Sequence, residues 1–229
     1  MSTETLVLDR MGTLIARWES AGDRRAIFLG CYRLMTANML TALQAGEFHD
    51  ARWVRALLER FADYYFDALA AYEHSRAAAP AIWRLTHDAA RDPGTLTLQN
   101  LMLGVNAHIC YDLVLTLVDL LEPEWAGRDG EWRDRRRADH RRVNHVIART
   151  VDAVQDTVVE RFSPRLDLLD QALGPVDEWV ASQLIRRWRE GVWRSAVQLL
   201  ETPTPEARAA LLADVEAAAL GRADAILLR

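Results

Sequence analysis

Leu101-Met-Leu-Gly-Val-Asn-Ala-His-Ile-Cys-Tyr-Asp-Leu-Val-Leu-Thr-Leu-Val-Asp-Leu-Leu121 is apolar around most of a helical circumference. A helix of that kind belongs in the middle of a bundle rather than on its surface. Set into it are His108 and Asp112, two groups that are costly to bury without a partner or a metal. Their i, i+4 spacing puts both side chains on one helix face, one turn apart. Gly104, one turn before His108, leaves a space beside that face. Asn106 points nearly the opposite way on a regular helix, about 160° around at 3.6 residues per turn.

Outward from this segment the periodicity stays helical, with no convincing strand alternation. A short amphipathic helix runs from Glu4 to Glu19. Asp23 caps a helix from Arg24 to Ala45 that stops at Gly46, and Asp50 caps another from Ala51 to Tyr72. Pro80 opens a short helix, and Asp92-Pro93-Gly94 is a turn. Thr95 or Thr97 caps the central helix, which ends near Glu122-Pro123. A loop follows to Gly130, then a helix from Glu131 to Phe162 and a short one between Ser163-Pro164 and Gly174-Pro175. Val176 to Leu200 is helical, Thr202-Pro203-Thr204-Pro205 breaks the chain, and an Ala-rich helix starts at Glu206. The expected fold class is all-α. It is a single-domain bundle, over residues 1–229, of about seven to nine helices around a central helix at about 96–122.

Composition narrows the function classes. The formal net charge of −5 argues against a general nucleic-acid binder. All 28 basic residues are arginine, so Schiff-base chemistry on a lysine, including covalent pyridoxal phosphate, is excluded. No phosphate loop or dinucleotide Gly-rich turn is present, so no nucleotide cofactor is expected; nor is a Gly-x-Ser-x-Gly elbow or a His-Glu-x-x-His helix. A ferritin-like di-iron site would need paired Glu-x-x-His motifs, which are absent. The two cysteines, Cys31 and Cys110, lie in apolar helical stretches and read as small core residues in a reducing cytosol. With no visible signal peptide, the expected location is cytoplasmic. The polar residues inside 101–121 favour a buried helix over a membrane span.

His108 and Asp112 read as metal ligands, as a general base with its orienting carboxylate, or as a buried hydrogen-bonded pair. A second group, Asp139, His140, Asn144 and His145, lies on one helix and can offer ligands to the first; its arginine-rich flank reads instead as a solvated face. Tyr32, Thr36 and Tyr65 fall in apolar stripes, where they line a pocket or satisfy their hydroxyls locally. Asn106 is a pocket residue or a helix–helix hydrogen bond.

Leu103-Gly104-x-Asn106-Ala107-His108-Ile109-x-x-Asp112-Leu113 resembles the signature of a bacterial helical family of unknown function, whose members often read Leu-Gly-x-Asn-Ala-His-Ile-Asn-x-Asp-Leu. Cys110 stands where many members have Asn. The resemblance continues through Asp23-Arg24, Phe28, Tyr32, Thr36, the Phe61-Ala62-x-x-Tyr65-Phe66-x-Ala68-Leu69 run and Trp83, and downstream through Asp139-x-x-x-Val143-Asn144. It implies no established activity. Leu103, Gly104, His108 and Asp112 are also distantly similar to the Leu-Gly-x-x-x-His-x-x-x-Asp pattern of zinc-dependent helical phospholipases and nucleases. That likeness implies metal at His108 and Asp112. The chain lacks their N-terminal Trp.

The leading expectation is a hydrolase-like enzyme acting on a small or partly apolar substrate. Its divalent metal (zinc, manganese, magnesium or iron) is held by His108 and Asp112 and completed by Asp139 or Asn144. Tyr32, Thr36, Tyr65, Asn106 and His140 line its pocket. One alternative is a metal-free His108–Asp112 acid–base enzyme on an apolar small molecule. Another is a non-catalytic binding or interaction module with a structural polar core. A homo-oligomer stays open.

Overall fold

The computed structural model describes residues 3–154 and 175–228, with side chains over 6–150 and 182–228. Eight helices and no strand occur among the described residues. They are α1 (Thr3–Ser20), α2 (Arg25–Gln44), α3 (Ala51–His74), α4 (Ala81–Arg91), α5 (Thr97–Trp125), α6 (Gly130–Val154), α7 (Pro175–Glu201) and α8 (Pro205–Leu227). The all-α expectation holds. The end of the helix expected to reach Phe162 and the short helix after Ser163-Pro164 lie outside the described residues.

Local chemistry explains the boundaries. Asp50 accepts from the Trp53 N–H at 2.9 Å, so the expected cap of α3 is made. The N-cap of α2 is instead Arg24, without a side-chain cap bond, and Asp23 one residue earlier accepts the Arg25 N–H at 3.0 Å. Gly46 takes φ +72 just past α2, a conformation that costs glycine nothing. The start of α5 differs from expectation: neither Thr95 nor Thr97 caps it. Gln99 Oε1 accepts the Leu96 N–H at 2.9 Å while its amide donates to the Ile226 carbonyl on α8, so one side chain closes the helix start and ties it to the C-terminal helix. The end differs too, since α5 continues through Pro123 to Trp125. Trp125 is buried there, with the Arg133 guanidinium 4.3 Å from its ring, and that packing extends the helix past the proline.

Helix α5 runs through the whole core. Leu103, Ala107 and Cys110 pack with residues of α1 to α4 and α8, including Met11, Phe28, Tyr65, Trp83 and Ala219. Leu113, Val114, Leu117 and Leu121 pack into a second cluster with Met39, Val54, Leu57, Val146, Val192 and Leu199. By length and composition α2 and α5 could each cross a membrane, but 72% of the most apolar window of α5 is buried inside the bundle. Between its two halves α5 is not regular: His108–Asp112 form one π turn. The polar pair therefore sits where the central helix passes from one cluster to the other, on a widened turn of a type that often marks functional sites.

Candidate active site

His108 and Asp112 project from the π turn into the first cluster, 3% and 1% exposed. The Nδ1 of His108 lies 2.9 Å from Oδ2 of Asp112. From α4 the indole N–H of Trp83 reaches both carboxylate oxygens, at 3.0 and 3.1 Å. Trp83 is itself fully buried and stacked against His87, so the carboxylate is held from two directions by buried side chains. The remaining polar atom, His108 Nε2, is buried and has no hydrogen-bond partner among the described residues.

Five aromatic rings surround the imidazole. Phe61 lies face to face with it, centroids 3.5 Å apart and planes 7° apart. Tyr32 approaches to 4.3 Å at a steep angle, with Phe28, Tyr65 and Trp83 at 5.8, 6.0 and 6.3 Å. Two surface clefts, of about 420 and 380 Å³, are lined by other residues and include none of these five.

This surrounding sets the protonation. Burial pushes His108 well below the usual histidine range and Asp112 well above the usual carboxylate range; the Trp83 N–H works against the latter shift. Interacting this closely, the two titrate as one unit. The favoured form is net neutral, with one proton on the Oδ2···Nδ1 line and one on Nε2. Losing a proton leaves Nε2 as a lone pair. Such a dyad can donate a proton or take one at Nε2 while Asp112 holds the ring in place. The phenols of Tyr32 and Tyr65 are likewise pushed up by burial and stay neutral.

Several expectations require correction. No open space remains beside Gly104. A Cβ there would lie 2.3 Å from Phe28 Cγ, so glycine at this position lets the Phe28 ring seat against the helix. Asp139 and Asn144 are not brought to His108. Asp139 is fully buried on α6 and accepts the backbone N–H groups of His49 and Asp50, both at 2.8 Å, fixing the entry to α3. Asn144 accepts from Arg189 Nε at 2.9 Å. His140 uses both ring nitrogens on that same residue: Nε2 donates to the Arg189 carbonyl at 3.1 Å and Nδ1 accepts from its guanidinium at 3.3 Å. Among the described residues no group of three or more His, Cys, Asp or Glu is placed to hold a metal ion. Asn106 donates to the Ala219 carbonyl on α8 at 2.8 Å, away from His108. Thr36 returns its hydroxyl to the Tyr32 carbonyl at 2.8 Å. Of the expected pocket residues, Tyr32 and Tyr65 face the dyad.

Phe61 is legible in the sequence as an inward-facing position of its helix but not as a site residue, Trp83 only through the family resemblance, and Arg189 not at all. Arg189 is 3% exposed with no carboxylate partner among the described residues, and burial brings its guanidinium down to about 9. Nothing in its local sequence, Trp188-Arg189-Glu190, separates it from a surface arginine. The signature positions Phe28, Tyr32, Phe61, Tyr65, Trp83, Gly104, His108 and Asp112, spread over 85 residues (28 to 112), meet at one point in the fold.

An all-α bundle that encloses a carboxylate–imidazole pair in an aromatic shell, on a π turn of its central helix, is the class this fold and site define. The chain belongs to the family of unknown function DUF5995, whose pattern matches residues 5–229. No curated protein and no solved structure matches it.

Proposed function

We propose that the chain is an acid–base enzyme in which His108 exchanges a proton, through Nε2, with an apolar small molecule carrying a single polar group. Asp112 is the positioning partner of His108, and Trp83 positions Asp112. The observation that carries this reading is the unpartnered His108 Nε2 beside an Nδ1 anchored on a carboxylate. An unsatisfied polar atom in a closed core costs about 1–3 kcal/mol. An apolar residue at position 108 would avoid that cost.

One observation favours a second reading. A histidine whose Nδ1 rests on a carboxylate presents Nε2 in the way metal-ligating histidines do. In that reading His108 is one ligand of zinc, manganese, magnesium or iron, and the metal supplies Lewis-acid activation of an ester or phosphate. The donor set around His108 is aromatic, which supports the metal-free reading.

The test uses histidine-labelled protein and ¹⁵N NMR. A set of apolar alcohols, phenols and ketones should include one that moves the His108 Nε2 resonance alone among the six histidines. Added divalent metal should leave the melting temperature unchanged. A metal-dependent rise that His108→Gln abolishes would transfer the assignment to the second reading. Strong destabilisation by both His108→Gln and Asp112→Asn, with no ligand or metal effect, would leave a structural pair.

A further inference from the structure

The rings around His108 are not equivalent. Phe28, Tyr32, Tyr65 and Trp83 are at most 8% exposed, and their neighbours hold them on every side. Phe61 is only partly buried, although it makes the closest contact with the imidazole of any of the five. It borders both core clusters and belongs wholly to neither. Of the five rings, Phe61 alone both stacks on the imidazole face and is partly open to solvent.

We infer that Phe61 is a replaceable plug, and that a flat aromatic ligand enters by displacing its ring and stacking on His108 in its place. The inference rests on the acid–base reading and adds the substrate class: an aromatic ring bearing one oxygen. Rotation of a partly exposed side chain is fast and leaves the backbone in place. The place it vacates is the face of the imidazole, with Tyr32 standing to one side, its centroid 4.3 Å from the imidazole and 5.9 Å from Phe61. A planar aromatic ring restores the lost stack on the imidazole face; a puckered saturated ring has no π face to stack with. The imidazole below carries the unpartnered Nε2 at its edge. An oxygen on an offset-stacked ring overhangs that edge, and a small tilt brings it to the nitrogen. Phe61 is thus a specificity-determining residue that sets what reaches His108.

The test uses the full chain with 4-fluorophenol, whose hydroxyl both donates and accepts, read by ¹⁹F NMR, and cyclohexanol as the saturated control. The parent should bind 4-fluorophenol at least tenfold more tightly than cyclohexanol. Phe61→Ala removes the plug and should tighten 4-fluorophenol binding at least tenfold further. Phe61→Leu keeps most of the apolar volume and should fall between; it decides alone where the alanine variant fails to fold. Unchanged affinity in the folded variants, absence of binding to them, or equal affinity for cyclohexanol overturns the inference. The acid–base reading fails separately. If 4-fluorophenol binds Phe61→Ala tightly but leaves the His108 Nε2 resonance unmoved, the plug stands and the proton-transfer role does not.

Discussion

Replacing Asp112 in two ways isolates what its carboxyl group does. In Asp112→Asn the amide keeps the shape: its oxygen still accepts from Trp83 Nε1 and its NH₂ donates to His108 Nδ1, as the protonated carboxyl does. No existing group loses a partner, but the amide adds one N–H without an acceptor, so the cost should be about 1–3 kcal/mol at most. In Asp112→Ala the Trp83 N–H and His108 Nδ1 both lose their partner inside a shell where the two residues are 0% and 3% exposed. At about 1–3 kcal/mol for each orphaned group, the loss is roughly 2–6 kcal/mol. For a chain of this size that lowers the melting temperature by at least about 4 °C. Urea unfolding and thermal melts at pH 7 measure both variants. An alanine variant no less stable than the asparagine variant would refute the claim that Asp112 is the acceptor and anchor of this site. Once a substrate is known, Asp112→Asn should also reduce turnover sharply, because it fixes the proton on Nε2 and removes the base.

Acidification should destabilise the fold. Three buried histidines are held neutral: His87, pushed down to about 3, and His108 and His140, both well below their ordinary range. Each contributes stability that is full above about pH 6.5 and is lost as pH falls toward its folded value. Asp112, shifted up, has the opposite sign and cancels one of them. The net of two protons gives about 2.7 kcal/mol per pH unit between about pH 6 and 5, read by urea unfolding at the two pH values; a flat response would contradict it. Asp112→Asn should steepen that slope to about 4 kcal/mol per unit, the value for three protons. Gly104→Ala drives a Cβ to within 2.3–2.6 Å of three Phe28 atoms, so it should cost roughly 1–3 kcal/mol or more, and a neutral melt would show that Phe28 does not seat there. Asp139→Ala strips the acceptor from the His49 and Asp50 N–H groups and should cost roughly 2–6 kcal/mol, while Asp139→Asn, which keeps one acceptor, costs less in the same melts.

Much of the architecture is legible from residue spacing. The apolar stripes of α2, α3 and α5, and the cap at Asp50, follow from interactions within four residues along the chain, where a helix leaves little choice of neighbour. The His108–Asp112 contact is local in the same sense. Gly104 shows the limit: its missing side chain was visible, but whether ligand or protein fills the space depends on a ring 76 residues earlier in the chain (28 to 104). Asp139 shows it again. A carboxylate one helix away from the His–Asp pair is a plausible metal ligand by composition, yet its oxygens go to backbone N–H groups 89 and 90 residues away.

Helix content, the buried course of the central helix and the pairing of His108 with Asp112 are therefore properties of the chain read alone, because 3.6-residue periodicity and the cost of burying polar groups act over a single turn. The π turn, the Trp83 clamp on Asp112, the Phe61 stack and the separation of Asp139 and Asn144 from His108 belong to the packed bundle. They depend on which helices meet and at what register, and that is settled by close packing of many side chains at once, which no spacing along one segment records.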